Sequence, residues 1–289
     1  MKKENAFNWD IKEQEILDMH GKPIKGYKEI KRDDNDGHIA VMKKTYHPMT
    51  TKEFSETAHS VAEAVGCSNI VFTDWETSSK NLGRSKPVVT AELEISKPLE
   101  IAGSKVEGLL TIGVGFDGSR SFFIGHKSTY LRCSNEFNSI IKDFTSRLTK
   151  NHMVRVEEII KQIELYHEFE RRLYENFENF QKVKIDETLI QECVDRVAKL
   201  TDEEKMMTTK ERHELLSTQK LNKIDDILAS VRGEVAELGN NAWALFNGIT
   251  HYTTHVMPVR GAEGISSLFG AKAEANKKAY NFGLELLEN

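Results

Sequence analysis

Cysteine is scarce, and long apolar runs are missing. The three cysteines among 289 residues, Cys67, Cys133 and Cys193, are odd in number, lie far apart and include no C-x-x-C pair. That argues against a disulfide framework and against a zinc ribbon, and leaves three reduced thiols as the expectation. No stretch reaches the ~20 consecutive apolar residues of a membrane span, and Met1-Lys2-Lys3-Glu4-Asn5 is followed by no apolar signal core. Neither secretion nor membrane insertion is therefore expected, and the location implied is the cytoplasm. There is no internal repeat and no low-complexity tract. What is present is a globular composition, 39% hydrophobic and 29% charged with a net charge of −5, in a chain long enough to bury a core without a staple.

The order of signals points to an α+β fold. Residues 1–45 mix charge with Gly and Pro and read as an irregular arm with one edge strand. Its Asp33, Asp34, Asp36 and Gly37 resemble part of a calcium loop but lack the closing Glu, so a solvated turn is expected. In the core at 46–135, Thr51 is a plausible N-cap for a helix whose apolar face is Phe54, Ala58, Val61, Ala62 and Val65. Five short β-rich segments follow: Asn69–Trp75, Val88–Ile95, Val106–Val114, Arg120–Ile124 and Ser128–Cys133. Turn residues separate them, which suggests a mostly antiparallel sheet. Residues 136–289 are expected to be helical, packing on the core or extending from it. Met153 to Phe180 keeps helical spacing, with Glu157–Lys161, Glu168–Arg172 and Glu178–Lys182 as i,i+4 pairs outside the stripe. Thr201-Asp202-Glu203-Glu204 is a capping box, and further helices are expected over Leu189–Val197, Ile224–Leu238, Asn240–His255 and Ala271–Leu287.

Two motifs tempt a chemical reading. Gly113-Val114-Gly115-Phe116-Asp117-Gly118 is a formal G-x-G-x-x-G after a strand, yet Arg120 to Ile124 reads as another strand where a dinucleotide site needs a helix, so a hairpin turn is expected. His251 and His255 have the i,i+4 spacing of a zinc helix, but Tyr252 stands where the catalytic Glu would be, which favours packing or capping histidines. No cofactor and no metal are expected. An enzyme using His251, His255, Asp117 or Cys133 stays a third possibility, without a complete constellation.

Charge is uneven. Residues 119–155 hold seven Lys and Arg (Arg120, Lys127, Arg132, Lys142, Arg147, Lys150, Arg155) against Glu136 and Asp143, a local balance of +5 that leaves −10 for the rest. Phe122, Phe123, Tyr130, Phe137 and Phe144 are interleaved with these cations, a combination that suits single-stranded nucleic acid. The competing reading is that strand alternation sends many of the rings into the core.

Gly115-Phe116-Asp117-Gly118-Ser119, Tyr130-Leu131-Arg132-Cys133-Ser134-Asn135, Arg147-Leu148-Thr149 and Trp243 to His255 occur in this order. Together they resemble the phage/plasmid-like protein family of unknown function, over roughly residues 45–260. Its D-G-S turn is Asp117-Gly118-Ser119; its R-x-x-C-x-N strand end is compressed here to Arg132-Cys133-Ser134-Asn135; its N-x-x-T-x-Y-x-x-H helix is matched by Asn247, Thr250, Tyr252 and His255. Leu148 stands where the family has His, and Thr254 where it has Asp. The resemblance implies an accessory protein of phages, plasmids and integrated elements, set among DNA replication, recombination and counter-defence functions, and no reaction. Combined with the basic segment, it suggests non-enzymatic, annealing-like binding of single-stranded DNA through Arg120, Lys127, Arg132, Asn135, Arg147 and Lys150. Asp117, Asn247, Thr250, Tyr252 and His255 form a polar set of open role, a core network or a site. The alternative is inhibition of a host defence protein through an exposed apolar patch on the Met153–Phe180 helix. A homo-oligomer is compatible with either.

Overall fold

The computed structural model describes residues 5–67, 69–75, 78–79, 84–85, 87–101, 103–118, 120, 122–143, 156–258 and 268–288. Three strands come first, β1 (Ile11–Leu17), β2 (Pro23–Arg32) and β3 (His38–Lys43), paired antiparallel in that order. The segment expected to be irregular is thus a sheet. Its alternation is hidden because much of its surface is wet and carries cross-strand ion pairs such as Lys28–Glu13 (2.5 Å) and Lys44–Glu15 (3.1 Å), not apolar side chains. Its base is dry: Trp9, Ile30 and Ile39 enter the core.

Helix α1 (Thr51–Ala64) is capped one residue earlier than expected, by Thr50, whose hydroxyl accepts the Glu53 N–H while the Glu53 carboxylate accepts the Thr50 N–H. Phe54, Ala58, Val61 and Ala62 form its buried face. The central sheet follows, with β4 (Ile70–Trp75), β7 (Val88–Leu93), β9 (Ser104–Gly115), β10 (Phe123–Tyr130) and β11 (Asn135–Asp143) in the order β11-β10-β9-β7-β4. Every pairing is antiparallel. A short β8 (Leu99–Ile101) pairs with the start of β9, and β5 (Ser78–Ser79) pairs with β6 (Arg84–Ser85).

The glycine run Gly113 to Gly118 leads into the β9–β10 connection of a hairpin, with Gly118 at φ +72°. The two strands expected over Arg120–Ile124 and Ser128–Cys133 are one continuous β10; Gly125 lies within it, beside a register shift in the β10–β11 pairing. Strand β11 lies where strand signals were thought to end. Its Asn and Ser positions have low strand propensity, and the β10 ladder supplies what propensity does not.

Helices then take over: α2 (Val156–Phe180), α3 (Glu187–Ala198), α4 (Asp202–Lys205), α5 (Thr209–Leu215), α6 (Thr218–Leu238), α7 (Ala242–His251), a π-helical turn (Tyr252–Val256) and α8 (Ala271–Glu288). Thr201 and Glu204 make the expected capping box. One face of the central sheet is closed twice over. At one end α1 covers Val89, Ala91, Leu110 and Ile112. At the other, Tyr130 and Phe137 meet Phe177, Trp243 and Phe246 in an aromatic cluster, with the Phe177 ring 4.9 Å from Trp243 and 5.2 Å from Phe246. Helix α2 joins the two cores, giving Ile163 and Tyr166 to the first and Leu173, Phe177 and Phe180 to the second. Among the described residues no helix is long and apolar enough to cross a membrane.

Candidate functional site

Alternation along β11 decides where the family-like residues go. Asn135 and Phe137 point to the helix-covered face, Glu136 and Asn138 to the other. Asn135 is 2% exposed and donates from Nδ2 to Glu234 Oε1 of α6 (3.2 Å) and to the Asn247 carbonyl of α7 (3.3 Å). That same carbonyl accepts the Thr250 hydroxyl (2.9 Å), and Asn247 donates back to the Trp243 carbonyl (3.0 Å). At Gly248, α7 runs so close to α6 that a Cβ would strike the Val231 backbone. Tyr252 is buried beside them. This half of the polar set therefore fastens α6 and α7 to the start of β11, and none of it is open to a ligand.

The rest of the set lies at the rim. His255 donates from Nε2 to the Cys133 carbonyl (3.0 Å), with its ring 5.0 Å from that of His251. Cys133 is a poor nucleophile, since burial pushes its thiol up to about 11 and the Glu234 and Glu237 carboxylates add to the effect. Asp117 sits in the β9–β10 connection, where its charge adds to the burial that raises the Tyr46 phenol to about 12. Among the described residues no group of three or more His, Cys, Asp or Glu is placed to hold a metal ion.

Of the cations expected to meet nucleic acid, Arg120 stacks its guanidinium 4.3 Å over the Phe269 ring. Arg132 pairs with Glu237 (3.1 Å), both well exposed. Lys127 lies between Glu92 (3.4 Å) and Glu136 (3.3 Å). Burial alone would favour its neutral amine, but the two carboxylates outweigh that and hold its pKa above the ordinary lysine value. Arg147 and Lys150 lie outside the described residues. Phe122, Phe123, Tyr130 and Phe137 are all 5% exposed or less, so these four rings are core and present no stacking platform; Phe144 lies outside the described residues.

What the structure assembles instead is a polar groove of about 270 Å³ on the second face of the central sheet. Glu92 of β7, Lys127 of β10, and Glu136 and Asn138 of β11 form its floor, and Trp75 of β4 closes one end. The wall is Thr253 and Thr254 of the π-helical turn with Lys272 and Asn276 of α8. These wall residues also cover the backbone of edge strand β11: Thr254 Oγ1 accepts the Glu136 N–H (3.1 Å), and Asn276 Nδ2 donates to the Glu136 carbonyl (3.3 Å). Thr253 donates to Asn276 Oδ1 (2.8 Å), and Trp75 Nε1 donates to Thr90 Oγ1 (2.9 Å), which fixes the indole against Leu268. Asn138 is 6% exposed, and its amide makes no side-chain hydrogen bond among the described residues. Nearby on this face Thr111 buries a hydroxyl with no hydrogen-bond partner among the described residues.

Sequence reasoning found one floor residue, Lys127. It missed Glu92, Asn138, Trp75, Lys272 and Asn276, and used Glu136 only as a charge. The hydroxyls Thr253 and Thr254 sit inside the recognised Trp243–His255 segment and were within reach of a closer reading.

A family model described as a domain of unknown function (DUF932) matches residues 38–277. No curated protein and no solved structure matches the chain.

Proposed function

The chain belongs to the DUF932 family of domains of unknown function, and from that premise we propose that it is a non-enzymatic accessory protein of DNA metabolism, of phage or plasmid type, that holds single-stranded DNA. The observation that carries this reading is the groove: a fixed indole at one end, and hydrogen-bonding side chains aimed inward from three strands and two helical segments. Single strands are held by stacking at roughly 1–3 kcal/mol per base together with cations along the backbone. Trp75 supplies a ring, and residues 144–155 add Arg147, Lys150 and Arg155 to the sequence with no Asp or Glu among them. The Cys133 and Cys193 thiols, both held above the ordinary cysteine pKa by burial, and the lack of a nucleophile–base pair among the groove residues favour binding over catalysis.

The test is fluorescence anisotropy with labelled single- and double-stranded oligonucleotides across a salt series. We expect single strands to bind with affinity that falls steeply as salt rises, with a loss of about five- to tenfold for Trp75→Ala or Arg147→Ala in variants whose circular dichroism shows the fold retained. No binding at the lowest salt overturns the proposal.

A second reading, docking to a host defence protein, is favoured by one observation. The apolar stripe of α2, where a patch was expected, is buried from Ile163 to Phe180 apart from such positions as Leu165. A group of exposed apolar side chains lies at the β1–β2 tip instead, where residues 17–27 are all exposed and Met19 is 91% accessible along with Leu17, Ile24 and Tyr27. If this reading holds, Leu17→Asp with Met19→Asp abolishes co-purification of the partner and leaves oligonucleotide binding intact; self-association of the protein lost in the same variant assigns the tip to a second copy.

A further inference from the structure

The groove floor carries a base preference. We infer that it receives a single unstacked base and selects those with an exocyclic amine, cytosine and adenine first, over thymine; the inference rests on the single-strand reading above and names what that site reads. Glu92 and Glu136 offer only acceptors, and Lys127 between them already directs two of its three N–H groups at their carboxylates. Asn138, nine-tenths buried and without a side-chain partner among the described residues, adds one acceptor and two donors. A base entering here meets carboxylate oxygens on either side of one ammonium and an amide.

Cytosine N4 and adenine N6 donate to such carboxylates, while their ring nitrogens accept from Lys127 or Asn138. Thymine has a single edge donor, N3–H, flanked by two carbonyl oxygens, so a carboxylate that accepts from it is set against lone pairs on either side. Phosphate is excluded on the same ground, because on the floor the two carboxylates of Glu92 and Glu136 outnumber the one ammonium of Lys127. The volume of about 270 Å³ lies just under the roughly 300–1,000 Å³ of drug-sized sites, as one base with its sugar requires. Trp75, held by Thr90, provides the stacking face at the end of the groove.

This expectation runs against the preference for flexible pyrimidine runs that stacking and backbone freedom produce without edge reading. The experiment compares short homopolymers of dC, dA and dT on the full chain at one salt concentration by anisotropy. Expected is about tenfold tighter binding of dC and dA than of dT, the size of one good edge contact. In Glu136→Gln, whose amide is able to donate to thymine O4, the ratio should fall toward one. Asn138→Ala, which leaves the Lys127 ion pairs in place, should reduce it without altering the melting temperature by more than a few degrees. Salt-dependent binding in which dT is equal or tighter overturns the base preference and leaves the single-strand reading standing. If no polymer binds, the single-strand reading falls, and titration with cytidine and thymidine decides the floor separately: cytidine alone upholds it, and neither or both overturns it.

Discussion

The two faces of the central sheet are made by the same strands and behave oppositely. On β10, Ile124, His126, Ser128 and Tyr130 face the helices, while Phe123, Lys127 and Thr129 face the groove side. Under the helices the polar groups are enclosed: one set forms a matched network around His126 and Glu170, while Asn135 Oδ1, the Tyr130 hydroxyl and Trp243 Nε1 are buried among packed rings without a hydrogen-bond partner among the described residues and with only about 10 Å³ of free space beside them. His126 lies 3.0 Å from the Tyr166 hydroxyl and 2.5 Å from Ser128 Oγ, and Glu170 accepts from Tyr166 (3.1 Å), Tyr174 (3.4 Å) and Ser96. Burial drives the His126 pKa down to about 3, so its imidazole is neutral and serves packing. On the other face open space is what differs: the Asn138 amide, without a side-chain hydrogen-bond partner among the described residues, lines an open groove, while the Thr111 hydroxyl is buried nearby, also without one among them. A satisfied network rigidifies a core, whereas an unsatisfied one beside open space is where a ligand gains most. That contrast places the candidate site on the side away from most of the family-like residues.

The sharpest way to test the contrast is to empty the closed face. Phe177→Ala removes the ring shared by Trp243, Phe246 and Phe137, and should cost about 3–5 kcal/mol in urea or thermal unfolding. A cost below about 1 kcal/mol would mean that this face is not the packed one. Acid gives the next largest effect. Because the folded pKa of His126 is depressed, the unfolded chain takes up its proton first. Its contribution to stability is complete above the unfolded value of about 6.5 and is lost as pH falls toward 3, by at most about 1.4 kcal/mol per pH unit. Urea midpoints measured between pH 7 and pH 4 should therefore drop more steeply for the wild-type chain than for His126→Gln; parallel curves would remove His126 from the closed network. Smallest is the change on the open face. Thr111→Val deletes a buried hydroxyl that has no partner among the described residues, and should leave stability unchanged or raise it by up to about 1 kcal/mol. A loss larger than that would show the hydroxyl to be engaged and the open face to be as closed as its opposite.

The parts of the fold that were legible are those whose signal is local. The apolar period of α2 and α6, the Thr201 box, and the alternation of β4, β7 and β9 all announced themselves, because side-chain spacing sets which face is dry before any tertiary contact forms. The β1–β3 sheet was not legible, since its wet surface is held by cross-strand ion pairs that exist only once the register is chosen. Strand β11 was missed for a related reason: Asn135, Asn138 and Ser139 suit a turn as well as a strand, and the β10 ladder decides.

For the candidate site the division is cleaner. The sequence alone determined the α+β class, the uneven charge, the lack of a metal or nucleotide motif in workable context, and a family resemblance that the family match over residues 38–277 supports. Tertiary structure decided what those residues face. Glu92, Lys127 and Glu136 meet because four strands, β7, β9, β10 and β11, hold one register, and Thr254 and Lys272 join them because the π-helical turn and α8 fold back over the β11 edge. Spacing along a chain sets the face of a residue; only the pairing of distant segments sets its neighbours, and a binding site is made of neighbours.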